Sequence, residues 1–311
     1  MPQLSNSLAT FGAVGLRESL ADAIYNINPE ETPFLSSIGK EKASAQLEEW
    51  QTDVLAASAN NKVEQGNDAT FSAITPTVRV GNRMQISEKT YAITGSHEAA
   101  NKAGRKSEIA YQDTKKMIEL KRDQEFSAMQ NTTAIAAAAG VPGQARGVPG
   151  WLATNNSLGA TGVAPNPITN TAPTDGTLRV FTEQMLKDVA KLAWDQGGDP
   201  SMLFVPSAQR ATVSAFTGGA TKFDKTEDKT LTATVEVYVG DYGRYSIINS
   251  RHQRARDVFL LDPEMFSLMT YRAMKGEDLA KTGDSKKRMI NVEWSLKCKN
   301  EAASAAVRDL S

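Results

Sequence analysis

Residues 107–131 read SEIAYQDTKKMIELKRDQEFSAMQN, a run free of proline and glycine. Lys115 with Glu119, and Lys121 with Glu125, stand four apart, the spacing at which opposite charges meet on one helix face. The run therefore predicts one helix of roughly 38 Å at about 1.5 Å per residue. Its apolar residues, Ile109, Tyr111, Met117, Ile118, Leu120, Phe126 and Met129, are spread around the axis, so more than one face should be covered. Such a helix reads as a spine for other elements.

Outward from this helix the pattern turns to period two. On the N-terminal side, a β-like stretch around Trp50 and Val54 is followed by the polar, small-residue stretch 56–73. A second strand then places Val78, Val80, Asn82, Met84 and Ile86 on one face, against Arg79, Gly81, Arg83 and Gln85. Together they predict a projecting hairpin, and a long hairpin with a polar tip needs another surface to lie on. The clearest alternation comes near the end, where Ile290, Val292, Trp294, Leu296 and Cys298 oppose Asn291, Glu293, Ser295, Lys297 and Lys299. Cys298 is thus expected in the core.

Between these lie less regular parts. Residues 140–177 carry Pro142, Pro149, Pro165, Pro167 and Pro173 among many Gly, Asn and Thr, which predicts an ordered loop region with an interaction role. A helix from about Thr182 to the Gly197-Gly198 stop, an apolar strand at 202–205 and a short helix capped by Ser207 and ending at Gly218-Gly219 follow. A hairpin with Val235, Val237 and Val239 before the turn 240–243, and a buried strand at 258–261, complete the series. A short helical arm at Leu16, Leu20, Ala23 and Ile24 is stopped before Asn28-Pro29 and again before Thr32-Pro33.

Composition narrows the function classes. The 311 residues allow about two ordinary domains or one elaborated one, and 40% apolar with 23% charged residues is a globular balance. Lys+Arg 35 against Asp+Glu 36 leaves a net charge of -1, so no global basic field draws nucleic acid. No run approaches the roughly 20 apolar residues of a membrane helix, and no secretory signal opens the chain. One cysteine excludes an internal disulfide framework.

No chemistry is indicated: catalytic, cofactor-binding and metal residues are all expected to be absent. His97-Glu98-Ala99-Ala100-Asn101 begins like a zinc-protease helix, but Asn101 stands where the second imidazole must be. The glycines 140, 143, 147 and 150 lack the lysine and hydroxyl of a phosphate loop. His252, within the basic cluster 251–256, reads as a solvated turn, with contact to phosphates or an acidic neighbour as the alternative. The mixed-charge segment 275–288 reads as an exposed loop that could form a charge network where copies meet.

Three stretches carry a resemblance: residues 16–22 (LRESLAD) with 25–29 (YNINP) and 32–35 (TPFL), then 49–53 (EWQTD), and 279–284 (LAKTGD). Their order and spacing resemble a family of tailed-bacteriophage major head proteins over most of the chain. The resemblance implies an α+β fold of the Hong Kong 97 type. Its parts would be an N-terminal arm at 1–40, an extended E-loop hairpin with flanking strands at 41–90, and a peripheral domain with the spine helix at 91–131. An axial domain at 132–264, peripheral strands and loop at 265–300 and a return to the axial domain at 301–311 would follow. Intersubunit contacts are expected at Lys62, Val63, Glu64, Asp68 and Phe71 of the E-loop. A second set, Glu277, Asp278, Lys281, Asp284, Lys286 and Arg288, is expected in the peripheral loop.

The implied function is structural, not enzymatic: hexamers and pentamers of an icosahedral shell around double-stranded DNA, assembled in the host cytoplasm and present in the virion. Implied partners are further copies of the chain, portal and scaffold proteins, and packaged double-stranded DNA held nonspecifically, with no membrane and no cofactor. About 40 residues before the first core-like strand leave no room for a fused scaffolding segment, so a separate scaffold protein is expected. Lys62 and Asn291 or Asn300 exist, but no motif assigns a covalent lysine–asparagine crosslink, and none is expected. The alternatives are an encapsulin-like compartment and a soluble hydrolase using scattered carboxylates.

Overall fold

A computed structural model describes residues 31–69, 71, 73–101, 106–216 and 237–311. The helical arm at 16–24, Val235 and the Gly218-Gly219 stop lie outside the described residues. In chain order the helices are α1 (Pro33–Ser37), α2 (Gly95–Ala99), α3 (Glu108–Gln130), α4 (Val148–Trp151), α5 (Glu183–Asp195) and α6 (Ser207–Ser214). The strands begin with β1 (Gly39–Lys42), β2 (Leu47–Thr52), β3 (Val78–Arg83), β4 (Gln85–Thr94), β5 (Asn156–Ser157) and β6 (Met202–Pro206). They end with β7 (Val237–Gly240), β8 (Gly243–Ser250), β9 (Val258–Leu261), β10 (Phe266–Asp278), β11 (Ser285–Cys298) and β12 (Ala305–Val307).

The strands form a mixed six-stranded sheet, β5-β12-β9-β6-β8-β7, a four-stranded sheet, β1-β10-β11-β4, and the two-stranded hairpin β2-β3. The first is buried on both faces, which is why its central strands are continuous apolar runs and not alternating ones. Leu203, Val205, Val258, Leu260, Ala305 and Val307 point to a cluster with α5 residues Leu186, Val189 and Ala193. Phe204, Phe259, Leu261 and Ala306 point the other way, into a core shared with Phe34, Leu120, Met129, Trp151, Phe266 and Trp294. That second core joins the two larger sheets, α1 and α3.

The spine helix is α3, with the Ser107 hydroxyl accepting the Ala110 N–H at its start. The expected charge pairs are replaced. Glu119 pairs with Lys116 at 2.8 Å, not with Lys115. Glu125 turns inward instead of toward Lys121, and its two oxygens accept the N–H groups of Phe34 and Leu35 at 2.9 Å each. The reason is tertiary: α1 lies against α3, and its free N-terminal N–H groups need acceptors where water is excluded.

Strand β11 matches its alternation. Ile290, Val292, Trp294, Leu296 and Cys298 are all buried, and burial pushes the Cys298 thiol well above its ordinary range. Glu293 and Ser295 on the opposite face are buried too, the first paired with Arg272 at 2.7 Å and the second donating to the Arg83 carbonyl at 2.8 Å. The strand after the hairpin loop is interrupted at Met84, where β3 leaves β2 and β4 joins β11. Val80, Asn82 and Met84 of the predicted face are buried, but Val78 at its start and Ile86 beyond the interruption are exposed, at 39% and 55%.

Two further expectations are corrected. Ser207 is the first residue of α6 and makes no side-chain cap, and the helix ends at Ser214. In the basic turn 251–256 the solvated reading gives way to its alternative, contact with acidic neighbours: Arg254 and Arg256 reach Asp175 at 2.6 and 3.0 Å, and Arg256 also reaches Asp309 at 2.9 Å. The loop region 132–177 is ordered by two small ribbons, with bridges Ile135–Gln144 and Ala138–Val141 in one and Val163–Thr174 and Asn166–Thr171 in the other. Gly147 and Gly150 let this region lie on the end of α3, since a Cβ would stand 2.4 Å from the Ala128 carbonyl oxygen and 2.1 Å from that of Thr132.

Candidate assembly surface

The hairpin β2-β3 carries a long loop, 53–77, in which Lys62, Val63, Glu64, Asp68 and Phe71 are all exposed. A turn closes at Gly66, which has φ +85° and is followed by an Asn67 N–H bond to the Glu64 carbonyl at 3.1 Å. No side-chain bond joins the five predicted contact residues to one another among the described residues. Val54, Leu55, Val63, Phe71 and Ile74 all project into solvent, Phe71 at 97% exposure. Apolar side chains gathered on an extended segment are a feature of surfaces that another molecule covers.

The root of this loop, by contrast, is fixed. Asn82 is fully buried on the face that sequence alternation assigned to apolar residues, and its amide is saturated. Nδ2 donates to the carbonyls of Arg146 at 2.9 Å and Leu296 at 2.7 Å, while Oδ1 accepts the N–H groups of Arg146 at 2.8 Å and Arg83 at 2.9 Å. Two positions after Arg83, Gln85 accepts from Asn131 Nδ2 and from the Ala145 N–H, both at 3.1 Å. Arg146 Nη2 in turn donates to Asn170 Oδ1 at 2.8 Å, and Asn170 also holds both backbone groups of Ala134. Hairpin, β11 and loop region are thereby one connected body.

The second predicted set is not a loop throughout. Glu277 and Asp278 end β10, Lys286 and Arg288 belong to β11, and only 279–284 turn between them. Pairing places Asp278 directly opposite Arg288, and their side chains meet at 3.3 Å. Arg288 also reaches Asp113 on α3 at 3.2 Å, so part of the charge expected to face a neighbour is used within the chain. Lys281, Asp284 and Lys286 are exposed, and the Asp284 carbonyl accepts the Gly95 N–H at 3.2 Å. The structure thus offers two separate projections and does not bring the two predicted sets together.

Among the described residues no group of three or more His, Cys, Asp or Glu could hold a metal ion, and no helix is long and apolar enough to cross a membrane. His97 lies on the five-residue α2, 3.7 Å from Glu108. His252 sits edge-on to Phe126, and burial with Arg122 and Arg251 nearby pushes its imidazole below the usual range.

A family model described as "SU10 major capsid protein" matches residues 4–311. The chain belongs to that family. A curated relative, the major capsid protein of Escherichia phage Phieco32, is 26% identical over 330 aligned residues, covering 94% of each chain. Among solved structures, the capsid asymmetric unit of cyanophage A-1(L) superposes with a TM-score of 0.65 at 12% identity over 99% of both chains. The capsid of cyanophage P-SCSP1u gives 0.62 at 10% identity over 98% of this chain and 99% of that one. These likenesses carry the fold, the α+β architecture of the Hong Kong 97 type. The capsid protein is a structural component of the virion and not an enzyme.

Sequence reasoning missed one part of the surface, the ribbon 163–174 that overhangs the hairpin root. Its proline spacing marked a loop, but nothing local marks Asn170, at φ +56°, as the residue that clamps it to Ala134 and Arg146.

Proposed function

We propose that this capsid protein assembles into hexamers and pentamers of an icosahedral shell around double-stranded DNA, with the loop 53–77 as the E-loop that lies on a neighbouring copy. The observation that carries this reading is the loop itself: five large apolar side chains exposed on a segment whose root is rigidly hydrogen-bonded. Exchanged loops and arms would bury well beyond the roughly 800 Å² per partner of a standard contact. The domain division follows the same reading: arm 1–40, E-loop and flanking strands 41–90, peripheral parts 91–131 and 265–300, axial parts 132–264 and 301–311. The residual charges of the β10-β11 projection, Glu277, Lys281, Asp284 and Lys286, would meet other copies, helped by Asp278 and Arg288 at its base.

Scaffold and portal proteins are the proposed assembly partners. Contacts with packaged DNA are proposed to be few, nonspecific and salt-sensitive, in keeping with a net charge of -1. The test is negative-stain electron microscopy with size-exclusion chromatography on the intact chain and on a deletion of residues 56–73, each with scaffold protein co-expressed. Shells, tubes or capsomer rings from the intact chain, and folded but unassembled subunits from the deletion, are expected. Persistent monomers from the intact chain would overturn the shell reading, and unimpaired assembly of the deletion would overturn the role of the loop.

A further inference from the structure

Beside the hairpin root is a cleft of about 210 Å³ whose lining includes Val54, Val78, Trp151, Pro167 and Ile168. One wall is the start of the loop, the other the tip of the 163–174 ribbon. Trp151 in its lining is held by residues outside the cleft: the Trp50 and Trp151 rings are 5.5 Å apart, Trp50 Nε1 donates to the Cys298 carbonyl at 3.0 Å, and the Arg146 guanidinium lies 4.5 Å from the Trp151 centroid.

Two donors in this stack have no acceptor. Trp151 Nε1 and Arg146 Nη1 are both buried, in residues 2% and 3% exposed, without a hydrogen-bond partner. Buried donors are normally paired, and a guanidinium is normally given an anion. Among the described residues no carboxylate pairs with Arg146, and burial pushes its guanidinium down to about 10. Glu301, which also lines the cleft, already accepts the N–H groups of Ala153 and Thr154.

The complementary chemistry is on the loop. Between 53 and 77, Asp53, Glu64 and Asp68 stand against the single cation Lys62, and Asp68 is three residues from the fully exposed Phe71. Three residues span at most about 10 Å, so one short segment presents an aromatic ring and a carboxylate together. We propose that the cleft receives residues 68–71 from the loop of a second copy, Phe71 entering between hairpin root and ribbon and Asp68 supplying the acceptor that the Arg146–Trp151 pair lacks. This rests on the reading of the loop as an intersubunit contact, and names its receptor. The contact is head-to-tail, loop tip to loop root, the kind that closes into rings.

The test is a disulfide trap at two exposed positions, Phe71→Cys combined with Ile168→Cys, which leaves the core untouched. Assembled shells are oxidised, alkylated and run on a non-reducing denaturing gel. A ladder of covalent multimers in shells, absent from unassembled subunits and from either single variant, is expected. Intact shells with only uncrosslinked monomer, or a faster-migrating monomer linked within one chain, would overturn the proposal. Should Phe71→Cys block assembly, the pair Ala69→Cys with Thr154→Cys reads the same contact with the same outcomes. Asp68→Lys should lower shell yield at least about tenfold while Asp68→Glu restores it, and equal yields from the two would count against the charge pairing. If deletion of 56–73 prevents assembly while trapped shells stay uncrosslinked, the loop contact stands and only its receptor is wrong; if the deletion assembles normally, the underlying reading fails.

Discussion

The side chain of Asn82 and the backbone of Arg146 exchange two hydrogen bonds, Nδ2–H to the Arg146 carbonyl at 2.9 Å and the Arg146 N–H to Oδ1 at 2.8 Å. A single amide thus replaces a strand pairing at the point where the hairpin leaves the body of the capsid protein. It also takes the place of an apolar residue in the alternation, because the neighbouring backbone there is irregular and buried.

Removing that amide should be costly. Asn82→Leu keeps the volume but leaves the Arg146 N–H and the carbonyls of Arg146 and Leu296 unpaired in the interior, a loss on the order of 3 kcal/mol. Urea unfolding of unassembled subunits measures it. A loss below about 1 kcal/mol would mean the hairpin root relaxes to pair these groups elsewhere.

Glu125 gives the subunit a defined acid response. Burial raises its carboxyl above the usual range, opposed by the hydrogen bonds from Leu35 and Phe34. The folded state therefore binds this proton more readily than the unfolded chain. Its contribution to stability grows as pH falls through the folded value, is complete below the unfolded value near 4.5, and is lost again as pH rises. Glu125→Gln offers one good acceptor oxygen, as the neutral carboxyl does, and cannot titrate, so it should abolish this acid response. Wild type should therefore gain stability relative to the variant as pH falls. Unfolding midpoints between pH 4 and 8 decide this, and a wild type that loses ground to the variant in acid contradicts it.

Asp309 fastens the last residues to the loop region. Its carboxylate accepts the N–H groups of Gly159 at 2.9 Å and Gly176 at 2.8 Å and pairs with Arg256. Because φ is +63° there, asparagine fits the backbone better than alanine does. Asp309→Asn should cost about 2 kcal/mol and Asp309→Ala more, with faster amide exchange concentrated in residues 158–177. Uniform exchange across the subunit would place the effect elsewhere.

Much of the fold was legible because it rests on local periodicity. The 3.6-residue run at 107–131, the period-two face ending at Cys298 and the proline-rich 140–177 each specify an element without reference to distant partners. What misled was charge. Glu125 was paired with Lys121 and instead meets the α1 backbone, while Asp278, Arg288, Arg254 and Arg256 were read as solvent-facing or neighbour-facing, yet each finds a partner within the chain. A charged side chain is long and its partner is set by packing, so spacing along one helix or loop says little about where it ends.

The candidate surface divides the same way. Sequence alone determined that a long polar-tipped loop projects between two strands, that Cys298 is a core residue, and that histidine and cysteine are too few for the usual catalytic or metal clusters. Only the tertiary structure decided that Asn82, Arg146 and Asn170 lock the loop's root, and that Trp151 lines a cleft while its own Nε1 and the adjacent Arg146 Nη1 lack partners. Asn82, Arg146 and Asn170 are separated by tens of positions, and hydrogen-bond saturation is a property of three-dimensional neighbours that no local pattern encodes.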